Sequence, residues 1–384
     1  MSEQEESRFI QHLDSCPQCV GTLQEIAAPD HYWDEARSML SDGFISASPE
    51  VSETCRYAFE SNDTLPIPVQ LVLRSLAPTD NPESLGRMDQ YEVRGVVGVG
   101  AMGVVLKADD PHLDRVVALK VMAPSLADCG AARQRFAREA KAAAAVLHPN
   151  VIAIHSVCVS HALPYLSMPY IAGESLQQRI DREGPLPLSD VLRIGSQVAA
   201  GLNSAHRQGL IHRDIKPSNI MLDAGVETAV ITDFGLARTI DDATMTRSGA
   251  ITGTPDFMSP EQAQGQAIGF ESDLFSLGSL LYTLCTGHPP FRAETSFGVL
   301  RRITDEDARP IRECRSEIPG WMCTLIEKLH SKTPGARPNA GQAVELLEKC
   351  LAHTYQPNVI ALHQELSEDK QNYIQKSHPL LFHP

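Results

Sequence analysis

The sequence predicts an α+β fold, with antiparallel strands gathered early in the chain and helices gathered later. Three observations predict it. Residues 104–108 and 116–120 are apolar and strand-like, with glycines ahead of the first and the polar turn Asp109, Asp110 and Pro111 between the two. Strand, glycine turn, strand, turn, strand is a run of hairpins, not a βαβ unit. Residues 133–147 carry strong helix formers and no Gly or Pro until Pro149, which predicts a helix after the strands. Residues 188–208 are amphipathic and stop at Gly209, which predicts a second, longer helix.

Composition sets the outer limits. A chain of 384 residues with 42% hydrophobic content can bury sizeable cores, and one large bilobal unit is allowed. Nine scattered cysteines, odd in number and without a signal peptide, read as reduced thiols of a cytoplasmic protein, not as a disulfide framework. No apolar run approaches the roughly 20 residues of a membrane span. The net charge of −15 argues against nonspecific nucleic-acid binding.

The acidity is uneven. Residues 1–90 hold sixteen Asp and Glu against five Arg and no Lys, a net of −11, which leaves −4 for residues 91–384. The shift marks a boundary near residues 81–86 and sets residues 1–85 apart as an acidic regulatory or partner-binding segment. Tyr32, Trp33, Phe44, Tyr57 and Phe59, with the apolar run 66–76, suggest a few short helices joined by loops. Within it, His12, Cys16 and Cys19 could place three N/S ligands around Zn²⁺. The spacing resembles the His-x₃-Cys-x₂-Cys element of zinc-binding anti-sigma factors. That family adds a fourth ligand upstream, and residues 1–11 hold neither His nor Cys. The preferred expectation is a lost or marginal site with solvent-facing thiols.

The chemistry begins at Gly98-Val99-Gly100-Ala101-Met102-Gly103-Val104-Val105, which follows the pattern G-x-G-x-x-G-x-V. Glycines there let backbone amides approach phosphates where any Cβ would clash. Lys120 ends an apolar strand, where a lone buried ammonium would be costly, so it needs an anion, and a phosphate beside the glycine turn would supply one. Residues 212–220 read His-Arg-Asp-Ile-Lys-Pro-Ser-Asn-Ile, and Asp233-Phe234-Gly235 follows. Asp214, Lys216, Asn219 and Asp233 thus fall within twenty residues of one another. Phosphoryl transfer needs such a set: a carboxylate to orient a hydroxyl, a cation for developing phosphate charge, an amide and a second carboxylate for Mg²⁺.

Over residues 91–352 the sequence resembles the protein kinases of eukaryotic type, in particular the bacterial Hanks-type serine/threonine kinases. The resemblance implies the bilobal protein kinase fold, with a small antiparallel β lobe carrying one helix (91–170), a larger helical lobe (171–353) and a tail (354–384). It implies ATP with Mg²⁺, for which Mn²⁺ could substitute. Asp214 and Lys216 would be catalytic, with Asn219 and Asp233 on the metal. Lys120 would pair with Glu139 of the first helix; the alternative makes Glu139 a surface partner of Arg135 or Lys141. Val97, Gly98, Val99, Gly100, Ala101 and Gly103 would cover the phosphates. Val105, Ala118 and Met221 would sandwich adenine, although core packing fits each equally. Met168 as gatekeeper and Tyr170 would form the hinge. Glu174 would bond the ribose, or serve as a helix N-terminal acid.

Further positions carry over in the same way. Arg213 would pair with a phosphate on the segment 233–261, with Thr244, Thr246 and Ser248 as candidate phosphosites. Thr254 of Gly253-Thr254-Pro255 would bond the catalytic Asp and Lys. Glu261 is expected to meet Arg337 in a buried pair, and Asp273 to brace the catalytic-loop backbone. The resemblance also implies protein substrates, autophosphorylation, and a dimer as the route to it in trans.

Overall fold

The structure, a computed structural model, describes residues 65–100, 102–223, 228–234, 255–362 and 366. The His12, Cys16 and Cys19 element, Ala101, and Thr244, Thr246, Ser248 and Thr254 lie outside the described residues.

Among the described residues, the helix α1 (Ile67–Arg74) and the strand β1 (Gly86–Met88) precede the expected hairpins. β2 (Tyr91–Gly100), β3 (Gly103–Asp110) and β4 (Arg115–Met122) form those hairpins, and α2 (Pro124–Ala127) and α3 (Gly130–Ala144) follow. β5 (Ser156–Cys158) and β6 (Tyr165–Pro169) complete one six-stranded sheet in the order β1-β2-β3-β4-β6-β5, each neighbouring pair antiparallel. The hairpins and the single long helix of this lobe were expected. Helix α3 starts earlier than expected because Gly130 and Ala131 join its first turn, and it stops at Ala144, short of the His148-Pro149 turn.

The apolar run 66–76 finds its purpose here. Val69, Val72 and Leu73 of α1 are buried in one cluster with Val104, Leu106 and Leu119, and the helix contacts β3. Those strand positions alternate with Val105 and Lys120, which share the other face of the sheet. The charge boundary near residues 81–86 therefore does not coincide with the edge of packing. An amphipathic helix has to bury its apolar face, and α1 does so on the small lobe.

β7 (Glu174–Ser175) opens the larger lobe, followed by α4 (Leu176–Glu183) and α5 (Leu188–Arg207). β8 (Ile220–Leu222) and β9 (Ala229–Ile231) pair with β7 in the order β7-β8-β9. The remaining helices are α6 (Pro260–Ala263), α7 (Phe270–Thr286), α8 (Ser296–Asp305), α9 (Ile311–Cys314), α10 (Gly320–Leu329) and α11 (Ala340–Tyr355). Helix α7 is buried on all sides from Ser272 to Thr286, as befits the central helix of a large core. Its Ser276, Thr283 and Thr286 hydroxyls bond carbonyls one turn back, so their burial leaves them satisfied. Leu202 of α5, Leu277 of α7 and Leu347 of α11 meet in that core.

Two features position the site between the lobes. The chain reverses at Gly209 (φ 76°) and runs through residues 211–219 into β8. β9 is tied back to the small-lobe connection by Ile231 N donating to Asn150 O (2.9 Å) and Ile152 N donating to Ile231 O (2.9 Å), and it delivers Asp233. Among the described residues no helix is long and apolar enough to cross a membrane, and Cys129, Cys158, Cys285, Cys314, Cys323 and Cys350 are free thiols.

Candidate active site

The glycine turn is closed tightly. Gly98 pairs with Val105, Val99 with Val104 and Gly100 with Gly103. Gly103 has φ 151°, and a Cβ there would lie 1.8 Å from Val121 O, so no other residue fits. Ala123 N also donates to Met102 O (2.7 Å), which fixes the far side of the turn to β4.

Register then places the slot beside it. Val105 lies opposite Lys120, and Lys120 opposite Leu166; Ala118 lies opposite Met168. Val105, Ala118, Lys120 and Met168 therefore share one face of the sheet. Met221 sits on β8, opposite Val230 and Ser175. Tyr170 follows β6, with Lys107 Nζ 4.6 Å from its ring centroid. Val97 and Gly98 lie on β2 at a register shift between Val96 and Gly98.

Lys120 is buried and its Nζ lies 2.7 Å from Asp233 Oδ1, an ion pair that bridges the two lobes. Glu139 and Arg135 of α3 line the same cavity as Lys120, together with Met102, Met122 and Phe136. Asp233 is held at φ 62°, a left-handed backbone unusual for a residue with a side chain.

The loop 212–219 is fixed from several sides. Asn219 Nδ2 donates to Asp214 Oδ2 (3.0 Å) and to Asp214 O (2.8 Å), and Lys216 Nζ lies 3.0 Å from Asp214 Oδ2. One carboxylate oxygen of Asp214 thus carries both the amide and the ammonium. Asp273, fully buried at the start of α7, accepts from His212 N (2.8 Å) and Arg213 N (2.7 Å). The bracing expected of Asp273 is present. Arg213 is held at φ 68°, and its carbonyl accepts from Gln262 Nε2 (2.9 Å). A strained backbone of this kind persists only where surrounding bonds determine it.

Glu261 and Arg337 form the expected buried pair, bidentate at 2.7 and 2.9 Å, with Ser272 Oγ donating to Glu261 at 2.6 Å. Burial pushes the Glu261 carboxyl up, but the hydrogen bonds from Arg337 and Ser272 outweigh it and hold the group below the usual carboxylate range. Glu174 Oε1 lies 2.5 Å from Arg182 Nη2 and 3.4 Å from Arg179 Nη1. Its carboxylate is therefore engaged by two cations of α4.

Sequence reasoning missed several supports. His212 Nε2 donates to Thr232 O (2.8 Å), while Nδ1 accepts from Asp214 N (3.2 Å), which fixes the ring tautomer and ties the loop to the stretch before Asp233. His206 Nε2 donates to Asp273 Oδ2 (2.8 Å). The capping box Ser259 to Gln262 was readable from its S-x-x-Q spacing, but the carbonyl that Gln262 reaches was not.

The whole arrangement is a cleft between a β lobe and a helical lobe, with a glycine turn and the Lys120 ammonium above and two carboxylates, an amide and the Lys216 ammonium below. The sequence profile of the protein kinase domain matches residues 91–355, and the chain belongs to that family. It is 39% identical over 265 residues to serine/threonine-protein kinase pkn3 of Myxococcus xanthus, covering 66% of this chain and 48% of that protein. It is 36% identical over 254 residues to serine/threonine-protein kinase PknB of Mycobacterium leprae, covering 65% of this chain and 41% of that protein. The chain thus spans less than half the length of these curated relatives. The crystal structure of the Mycobacterium tuberculosis PknI kinase domain shares the fold at TM-score 0.56 and 24% identity, over 68% of this chain and 97% of that one.

Proposed function

We propose that the chain is an ATP-dependent serine/threonine protein kinase. The observation that carries this is the shared Asp214 oxygen, bonded by Asn219 and Lys216, beside the Lys120–Asp233 pair across the cleft. Asp214 orients a Ser or Thr hydroxyl and accepts its proton, and Lys216 neutralises charge on the transferred phosphoryl. Lys120 binds the α- and β-phosphates and Glu139 holds Lys120 in place. The glycine turn, with Val97, Gly98, Val99, Gly100, Ala101 and Gly103, covers the phosphates. Val105, Ala118 and Met221 enclose the base, and Met168 and Tyr170 form the hinge. Glu174 would have to leave its arginines to reach a ribose.

Among the described residues no group of three or more His, Cys, Asp or Glu could hold a metal alone. That fits Mg²⁺, which is usually held by one or two protein groups together with substrate phosphates. Asn219 and Asp233 would hold it, and once bound it neutralises phosphate charge. Positioning and electrostatics carry nearly all of such a reaction.

The regulatory reading belongs to the same proposal. Phosphate on Thr244, Thr246 or Ser248 would give Arg213 a dianionic partner and order residues 233–261, with Thr254 in the substrate loop. A transient dimer would allow transfer in trans. Residues 1–85, whose helix α1 packs on the small lobe, are read as a regulatory or partner-binding segment of a cytoplasmic kinase, with His12, Cys16 and Cys19 a lost or marginal zinc site. Stoichiometric zinc that disappears in Cys16→Ser/Cys19→Ser would overturn that last reading.

The test is incubation with γ-labelled ATP and Mg²⁺ beside an Asp214→Asn control. Label on Ser or Thr in the unmodified chain and none in the control is expected. Equal label in both sinks the assignment.

A further inference from the structure

Helix α3 has a cation where helices disfavour one. Arg133 stands in its first turns, at the positive end of the helix dipole, and no acid accompanies it there. The helix also lacks a side-chain N-cap, because Cys129 makes no capping bond. Helix stability therefore does not explain Arg133.

Its contacts do. The guanidinium donates to four main-chain carbonyls: Nη1 to Ala127 O (3.4 Å) and Ala162 O (3.1 Å), Nη2 to Val159 O (2.6 Å) and His161 O (2.8 Å). Three of those carbonyls belong to the turn between β5 and β6, and they converge on one charged group. The fork of Arg can serve several acceptors at fixed angles, which an ammonium cannot. The turn is also the direct extension of the strand that registers Lys120. Pro164 O accepts from Met122 N (2.8 Å), Tyr165 pairs with Val121, and Leu166 pairs with Lys120. Glu139 lies six residues after Arg133 on the same helix, and it shares a cavity with Lys120.

We propose that Arg133 is a positioning residue for phosphoryl transfer. By gathering the Ala127, Val159, His161 and Ala162 carbonyls it holds α3, and Glu139 with it, at a fixed distance from the strand that carries Lys120. This rests on the kinase reading and on Glu139 as the partner of Lys120. Removing the clamp frees the helix to shift against the sheet. A misplacement of about 1 Å at a reacting geometry costs up to about 100-fold in rate.

The experiment is a double-mutant cycle in the full chain, read by transfer from γ-labelled ATP at varied ATP concentration, with melting curves for each variant. Arg133→Ala is expected to lower kcat about 10- to 100-fold. Arg133→Lys, which keeps the charge without the fork, should fall between wild type and Arg133→Ala, and it carries the test should the alanine variant not fold. Amide exchange should rise in residues 130–144 and 159–163 and not elsewhere in the lobe. In a Glu139→Ala background, Arg133→Ala should have no further effect on kcat, because both act through one contact.

A folded Arg133→Ala or Arg133→Lys protein with wild-type kcat overturns the proposal. So does a loss that multiplies with that of Glu139→Ala, which would mark Arg133 as a scaffold residue alone. If Glu139→Ala itself is fully active, the role of Glu139 falls first, and the route claimed for Arg133 falls with it.

Discussion

The two sides of the cleft are built to different standards of rigidity. On the lower side, residues 212–219 are pinned by Asp273, Gln262, Asn219 and Thr232, and most of those bonds end on main-chain atoms of the loop or of its neighbours. Asp273 itself sits on a helix buried all round. On the upper side, Lys120 is joined to the lower lobe by one ion pair to Asp233, and α3 is tied to the sheet by the Arg133 fork. The comparison teaches a division of labour. The group proposed to meet the hydroxyl sits on a loop bonded from several sides, while the lysine proposed to meet phosphate reaches the lower lobe through its ion pair with Asp233. The predictions below test that division, from the largest expected effect to the smallest.

The largest effect belongs to the fixed side. Asp214→Asn keeps the shape and a carbonyl oxygen but removes the proposed proton acceptor. General-base loss of this kind is expected to lower transfer by about 10²–10⁴-fold. The melting curve should move little, because Asp273 and Gln262 hold the loop backbone and the asparagine's amide oxygen can still accept from Asn219. Transfer at the wild-type rate would show that the pinned loop is not the chemical centre.

Next comes the buried support of that loop. Arg337→Ala would leave the Glu261 carboxylate buried without its bidentate partner, and such a break costs about 3–5 kcal/mol. Glu261 neighbours Gln262, which holds the Arg213 carbonyl, so activity should fall with stability. Denaturant titration measures the first and labelled transfer the second. A stability change within experimental error would mean that the pair contributes nothing to anchoring.

Acid should loosen the lower lobe first. His330 is buried beside Ser279, and burial, with Lys332 and Arg337 nearby, lowers its pKa to about 3 from an ordinary 6.5. Between those values the unfolded chain binds a proton that the fold refuses, so stability falls as pH drops from 6.5 toward 3. The depressed Glu261 carboxyl acts in the same direction, since its stabilisation is present above its unfolded pKa and is lost as pH falls through the folded one. The melting temperature should decline steadily below about pH 6.5, and His330→Gln should flatten the upper part of that decline. An unchanged slope in that variant would rule His330 out as the cause.

The fixed side was also the more legible in the sequence. Asp214, Lys216, Asn219, Asp233, Asp273, Glu261 and Arg337 stand in short runs whose residue types are dictated by the chemistry or by the pairing. The hairpins were legible as well, because glycines and a polar turn punctuate apolar runs. What stayed hidden depends on main-chain geometry or on faces that no single run reveals. The carbonyls that Arg133 gathers leave no mark in the sequence, and neither does the one that Gln262 reaches. The apolar run 66–76 was visible, but its partner face on the sheet was not, because the charge shift downstream drew attention to another boundary. Glu174 was read alone, although Arg179 and Arg182 follow five and eight residues later and take up its carboxylate.

The smallest effect belongs to the rim of the adjustable side. Lys107 lies on β3 opposite Ala118, which lies opposite Met168, so its side chain shares the face proposed to meet the base. Its ammonium sits 4.6 Å from the centroid of the Tyr170 ring, and so links β3 to the stretch after β6. A partly exposed cation–π contact of this kind is worth about 0.5–1 kcal/mol. Lys107→Met frees the Tyr170 ring, and ordering it again on binding costs at most that amount, so KM for ATP should rise no more than about two- to fivefold while kcat stays unchanged. Lys107→Arg, which keeps the cation over the ring, should restore KM. A fall in kcat would mean that the rim reaches the reacting atoms, and the contrast between a fixed catalytic side and an adjustable nucleotide side would then have to be redrawn around Tyr170.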